Sequence, residues 1–76
     1  MITVKLYGLL RIESGIRQKQ LEARSLKEVL EQLADCGIDR RDLDGCIILV
    51  NGNSAKKRTK LTDSDTVVLM SPVAGG

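Results

Sequence analysis

The chain has no histidine, no tryptophan and no phenylalanine, and only one tyrosine and one proline in 76 residues. Without histidine, no side chain ordinarily titrates near neutral pH, which removes the usual general base and the commonest metal ligand. The two cysteines, Cys36 and Cys46, lie ten positions apart with no C-x-x-C spacing, so zinc and thiol–disulfide motifs fall away as well. They read instead as small buried apolar side chains in a reducing compartment. No glycine-rich phosphate loop is present. No apolar run approaches the ~18 residues of a membrane span. Met1-Ile2-Thr3-Val4-Lys5 alternates in polarity, unlike a secretory leader. The chain is therefore expected in the cytoplasm, with no membrane partner. No bound cofactor or metal is expected, and any chemistry should be done by a partner protein.

Charge excludes little more. Twelve basic and ten acidic residues give a net charge of +2, too balanced for a nucleic-acid protein. The cluster Lys56-Lys57-Arg58-Thr59-Lys60 stands out, but Tyr7 alone gives no stacking platform for bases. A solvated loop or edge strand is the preferred reading of that cluster. An acidic protein partner ranks second and nucleic acid last.

What is there has a clear order. Ile2, Val4 and Leu6 alternate with Thr3, Lys5 and Tyr7, a strand with one face buried. Gly8 breaks it, Leu9 to Ser14 reads as a connecting loop, and Gly15 marks a second break. Arg17 to Ala23 reads as a charged edge strand with Leu21 facing in. Ser25-Leu26-Lys27-Glu28 is a capping box, followed by Val29, Leu30 and Leu33 at helical spacing. Gly37 falls at the helix end, with Ile38 placed to pack back on it. Asp39 to Asp44 is expected to add one short turn anchored by Leu43.

Cys46-Ile47-Ile48-Leu49-Val50 is an unbroken apolar run, and Asn51-Gly52 is a hairpin signal of the type I′ kind. A short fourth strand is expected over Ser54 to Lys57, and a last one over Thr66-Val67-Val68-Leu69-Met70. Pro72 ends the ladder.

Hairpin, helix, hairpin, strand is an α+β arrangement with one main helix on one face of a mixed four- to five-stranded sheet. A right-handed crossover sets the first and last strands side by side and parallel at the centre, which is the β-grasp, ubiquitin-like architecture. Residues 1–76 form one domain, with 72–76 as an extended tail. One helix covers one face only. If Val67 and Leu69 face it, Val68 and Met70 face away, beside the tail, on a surface the chain has little left to cover. Two points stay open: whether Ile47/Leu49 or Ile48/Val50 shares that face, and whether Leu9, Leu10 or Leu61 folds over it.

The chain stops at Gly75-Gly76. Two terminal glycines arise by chance about once in 200 chains at average usage, so chance, a frayed end or a shortened chain is the weaker reading. Lacking Cβ atoms, such a tail threads a narrow slot and delivers a carboxylate.

These residues together resemble a known family. Leu6-Tyr7-Gly8-Leu9-Leu10-Arg11, Gly15, the helix, Val50-Asn51-Gly52, Leu61-Thr62-Asp63 with Asp65, and Pro72-Val73-Ala74-Gly75-Gly76 are similar, in order and spacing, to the ubiquitin-like sulfur carriers of the MoaD/ThiS type. Within that family the long first connection with Arg11 and the Pro-Val-x-Gly-Gly ending look nearer to the small subunit of molybdopterin synthase than to the thiazole-forming carrier of thiamin synthesis.

The resemblance implies that an adenylating enzyme of the ubiquitin-activating type binds the outer sheet face and uses ATP to activate the Gly76 carboxylate. A sulfur donor protein then converts it to a thiocarboxylate. The large subunit of molybdopterin synthase receives the tail beside a pyranopterin precursor, in an assembly of two large and two small subunits. Residue by residue, Gly76 carries the sulfur, Gly75 gives clearance, Val73 and Ala74 form the neck, and Met70, with Val68, contacts partners. Where the family often has Pro-Pro, this chain has Ser71-Pro72, so a less rigid neck is expected. Family aromatics in the first and last strands are replaced, so a smaller apolar face is expected. A carrier for thiamin or another sulfur metabolite, and a modifier that joins Gly76 to lysine, are the alternatives.

Overall fold

A computed structural model describes residues 1–71. The elements run β1 (Ile2–Tyr7), α1 (Leu9–Ser14), β2 (Gln18–Leu21), α2 (Leu26–Asp35), α3 (Arg40–Gly45), β3 (Ile47–Val50), β4 (Asn53–Ser54) and β5 (Thr66–Met70). They form one five-stranded sheet in the order β2-β1-β5-β3-β4. β1 and β5 are parallel and adjacent, and β5 is flanked on its other side by antiparallel β3. This is the β-grasp arrangement expected from the element order.

The core lies between the sheet and α2. Ile2, Val4 and Leu6 of β1 and Val67 and Leu69 of β5 are fully buried, as are Leu26, Val29 and Leu33 of α2. At ~1.5–3 kcal/mol per fully buried large aliphatic side chain, this cluster is the main favourable term in folding. α2 starts at the expected capping box. Ser25 Oγ accepts from the Glu28 amide at 3.3 Å, and Glu28 Oε2 accepts from the Ser25 amide at 3.2 Å. It ends as expected too, with the Gly37 amide donating to Ala34 O and the Ile38 amide to Leu33 O, which sets Ile38 into the core.

The Asn51-Gly52 turn has positive φ at both residues (51° and 85°), the backbone of a type I′ hairpin. Asn51 is also a clamp on the far side. Its Oδ1 accepts from the Thr66 amide at 3.0 Å and its Nδ2 donates to Asp65 Oδ1 at 3.0 Å. The carboxylate of Asp65 further accepts from the Thr62 amide at 2.8 Å. The Thr62 amide first, and the Asn51 side chain second, hold the Asp65 carboxyl below its ordinary value.

Three expectations are corrected. Leu9 to Ser14 is a helix, not a loop. The Arg11 and Ile12 amides donate to Gly8 O, and Leu10 is 2% exposed in the core. The fourth strand is only Asn53–Ser54, not Ser54 to Lys57. Past Ala55 the chain turns away to the start of α2, where Lys57 O and Thr59 O accept from the Lys27 and Leu26 amides. Finally, Cys36 is exposed at the end of α2, with Lys19 Nζ 2.9 Å from its sulfur. Cys46 is half-buried against the core, and its thiol donates to Leu43 O at 2.9 Å.

Candidate docking face and tail root

Strand alternation decides which side chains look away from α2. Val67 and Leu69 are fully buried beneath the helix, so Val68 and Met70 lie on the opposite face, half exposed. The ladder settles the point the sequence left open. Ile47 pairs with Met70 and Leu49 with Val68, which places Ile47 and Leu49 on the outer face. Ile48 and Val50 pack against the core instead. On the other side of β5, Tyr7 pairs with Met70 and Lys5 with Val68.

Two rows therefore cross the outer face. Tyr7, Met70 and Ile47 form the row next to the tail, with Tyr7 42% and Ile47 47% exposed. Lys5, Val68 and Leu49 form the row behind it. Beyond that, Thr3 pairs with Thr66 and the surface becomes polar. Apolar character thus rises toward the point where the chain leaves the sheet. The three leucines that could have covered it do not: Leu10 and Leu61 are buried in the core, and Leu9 is 50% exposed.

Ser71 is the last described residue, and it is tied down. Its Oγ accepts from the Leu9 amide at 2.7 Å, capping a helix whose N-cap residue, Gly8, has no side chain to do so. Gly8 has φ 67° and ψ −142°, a conformation open essentially to glycine alone. A Cβ there would collide with Ser71 Oγ. The sequence reading missed this contact, because a serine before proline signals nothing about a helix start so far away. Ser71, standing where the family often has a proline, is thus held in place. Val73, Ala74, Gly75 and Gly76 lie outside the described residues.

The basic cluster of the loop before Leu61 is partly absorbed by the fold. Lys57 Nζ pairs with Asp44 at 2.9 Å, and the backbone of that loop covers the start of α2. Among the described residues no group of three His, Cys, Asp or Glu side chains is placed to hold a metal, and no helix is long and apolar enough to cross a membrane.

A chain with a central parallel β1–β5 pair, an open apolar row at the sheet end and a Gly-Gly tail invites comparison with known proteins. A family model described as the ThiS family matches residues 4–76. The chain belongs to the ThiS family. No curated protein matches it. Among solved structures, the small archaeal modifier protein 1 of Haloferax volcanii superposes with a TM-score of 0.86 at 22% identity, covering 99% of this chain and 98% of that one, a likeness of fold. Small archaeal modifier protein 1 of Methanosarcina acetivorans is 27% identical with a TM-score of 0.81, over 99% of this chain and 95% of that one. A chain from the complex of subunits 1 and 2 of molybdopterin-converting factor from Helicobacter pylori is 26% identical with a TM-score of 0.76, over 99% and 97%. This ThiS-family member thus has the ubiquitin-like β-grasp fold, the fold it shares with those modifier proteins.

Proposed function

We propose that the chain is a sulfur carrier whose reactive group is the Gly76 carboxylate, acting as the small subunit of a molybdopterin synthase. The observation that carries this reading is the family match running through Gly76, together with an apolar row of Tyr7, Met70 and Ile47 that is partly exposed at the end of the sheet. A likeness to a chain of the molybdopterin-converting factor complex supports the choice of pathway.

In this reading an adenylating enzyme grips the outer face and leads the tail to its ATP. A Gly76 carboxylate oxygen attacks the α-phosphorus, pyrophosphate leaves, and an acyl-adenylate forms. A persulfide sulfur on a donor protein then attacks the acyl carbon and AMP departs. Reduction of the sulfur–sulfur bond by a thiol leaves the thiocarboxylate. In the synthase, that sulfur attacks the pyranopterin precursor held by the large subunit. The carrier contributes a nucleophile and a slender tail, with Gly75 for clearance and Val73 and Ala74 as neck. Met70 and Val68 supply the grip. Rate enhancement comes from partners that position and polarise the reacting carbonyl.

Intact mass of the protein isolated from its own host tests this. The expected result is a species heavier by the exchange of one oxygen for sulfur, lost when Gly76 is deleted, together with loss of pterin cofactor synthesis. Cofactor synthesis that continues without Gly76 overturns the reading. Covalent adducts to lysines of other proteins would favour the second reading, a protein modifier, which the likeness to the Methanosarcina modifier supports. Loss of thiazole synthesis would favour a thiamin carrier.

A further inference from the structure

We propose that the β1–β2 edge beside the tail root receives an acidic segment of the protein that takes up the tail. The proposal rests on the reading that an adenylating partner binds the outer face. It adds the chemistry of the partner's surface and where that surface sits.

The site is a cleft of about 180 Å³ lined by Lys5, Leu6, Tyr7, Arg11, Arg17 and Gln18. Three cations converge on it from three segments: Lys5 from β1, Arg11 from α1 and Arg17 from the lead into β2. Among the described residues the ion pairs are Met1 with Asp63 and Lys57 with Asp44, so none of the three has a carboxylate partner. Lys5 and Arg11 are half-buried, which weakens solvent screening of their mutual repulsion. None of the five strands contains Asp or Glu, so among the described residues no strand side chain offsets them. The net charge of +2 hides this segregation. Setting Lys5, Arg11 and Arg17 aside leaves nine basic and ten acidic side chains on the rest of the molecule.

Continuity selects the occupant. Tyr7 lines the cleft and also begins the apolar row with Met70 and Ile47. A protein covering that row cannot avoid the cleft. Of the lining residues, Leu6 has no amide to spare for a small anion, since its N–H is already given to Arg17 O at 3.0 Å. What remains are two guanidinium forks and an ammonium, which suit carboxylates presented by a protein surface with its own geometry. The docking face is therefore two-sided, apolar along β5 and β3 and cationic at the cleft where β1, α1 and the lead into β2 meet. That asymmetry fixes the orientation of the partner and steers its approach.

The test is ATP-dependent pyrophosphate release by the ubiquitin-activating-type enzyme of the source organism, with this protein as substrate, across a range of salt. For the unaltered chain, KM is expected to rise with salt. Arg11→Glu/Arg17→Glu should raise KM about tenfold or more at low salt, keep the saturating rate and lose the salt dependence. Arg11→Gln/Arg17→Gln should fall between, and Lys56→Glu/Lys57→Glu should leave KM unchanged. Circular dichroism melting confirms that each variant is folded. If the unaltered chain is activated and both arginine variants match it at low salt, the acidic-partner inference fails alone. If the unaltered chain is not activated at all, the functional reading fails and takes the inference with it. Inorganic phosphate offers the third outcome: millimolar phosphate that shifts the amide resonances of Arg11, Arg17 and Gln18 and inhibits competitively would replace the acidic protein with a small-anion site.

Discussion

Ser71 Oγ accepts the amide proton of Leu9 at 2.7 Å, a hydrogen bond between residues 62 positions apart. It joins the first residue after β5 to the first residue of α1, so the root of the tail and the start of a helix share one cap. Removing the hydroxyl in Ser71→Ala is expected to cost about 1 kcal/mol and to lower Tm by roughly 4–8 °C. Hydrogen exchange at the Leu9 amide should speed up while the β1–β5 ladder stays protected. Gly8→Ala should cost more, about 1–3 kcal/mol, because its backbone angles exclude other residues and its Cβ would collide with Ser71 Oγ. The double variant should lose less than the two single losses added together, since the collision disappears with the hydroxyl. Strict additivity in thermal melts would break the link.

Strand parity gives the second prediction. Met70→Asp places a charge on the outer face, where water still reaches it, and should stay within about 1 kcal/mol of the parent stability. Val67→Asp puts the same charge under α2, where Val67 is fully buried, and should unfold the domain. Binding to the adenylating enzyme should fall by about tenfold or more in the Met70 variant, measured by calorimetry on protein shown to be folded.

Asp65 makes stability depend on acid. Its carboxyl is held low by the Thr62 amide and the Asn51 side chain, so the folded state favours the charged form. That stability is present above the unfolded value near pH ~3.9 and is lost as pH falls toward the lower folded value. Asp65→Asn should flatten this part of the profile in denaturant titrations between pH 2 and 6, an interval set about the ordinary carboxylate value. Unchanged acid sensitivity would assign the effect elsewhere.

The two thiols should behave differently. Burial pushes the Cys46 thiol up to about 11, a hydrogen bond with its own backbone opposes this, and the nearby Asp44 adds to it. Cys36 is exposed. Iodoacetamide at pH near 8.5, the ordinary thiol value, should label Cys36 first, with Cys46 following only on unfolding. Peptide mass mapping after short exposure reads the order directly.

The residues that signalled their structure did so over short distances. Ser25 and Glu28 announced α2, Gly37 its end, and Asn51-Gly52 the hairpin, each through contacts within a few positions. That one sheet face stays open followed from counting one helix against two faces. Val68 and Met70 fall on it only on condition that Val67 and Leu69 face the helix, which they do. What escaped were features fixed across the fold. α1 shows no apolar stripe, since only Leu10 of its six residues is buried, and it is capped by Ser71 from the other end of the chain. The fourth strand stopped early because the carbonyls of Lys57 and Thr59 were needed at the start of α2. Ile47 and Leu49 lay in a run apolar on both alternations, so only the register with Met70 and Val68 assigned their side. The arginines of the cationic edge are scattered in sequence, and the balanced total charge concealed their convergence.

The tail leaves from β5, which sits between β1 and β3. A pull on Ser71 along the axis of this strand would load both of its neighbours. On an edge strand such a load would unzip hydrogen bonds one at a time. Here it is a shear spread at once over the five register pairs with β1 and the four with β3. The Ser71–Leu9 bond, ahead of both ladders, is the first to feel the pull and the cheapest to give up. Loaded this way, the domain would serve as a mechanical anchor in which one side-chain hydrogen bond parts before either ladder does.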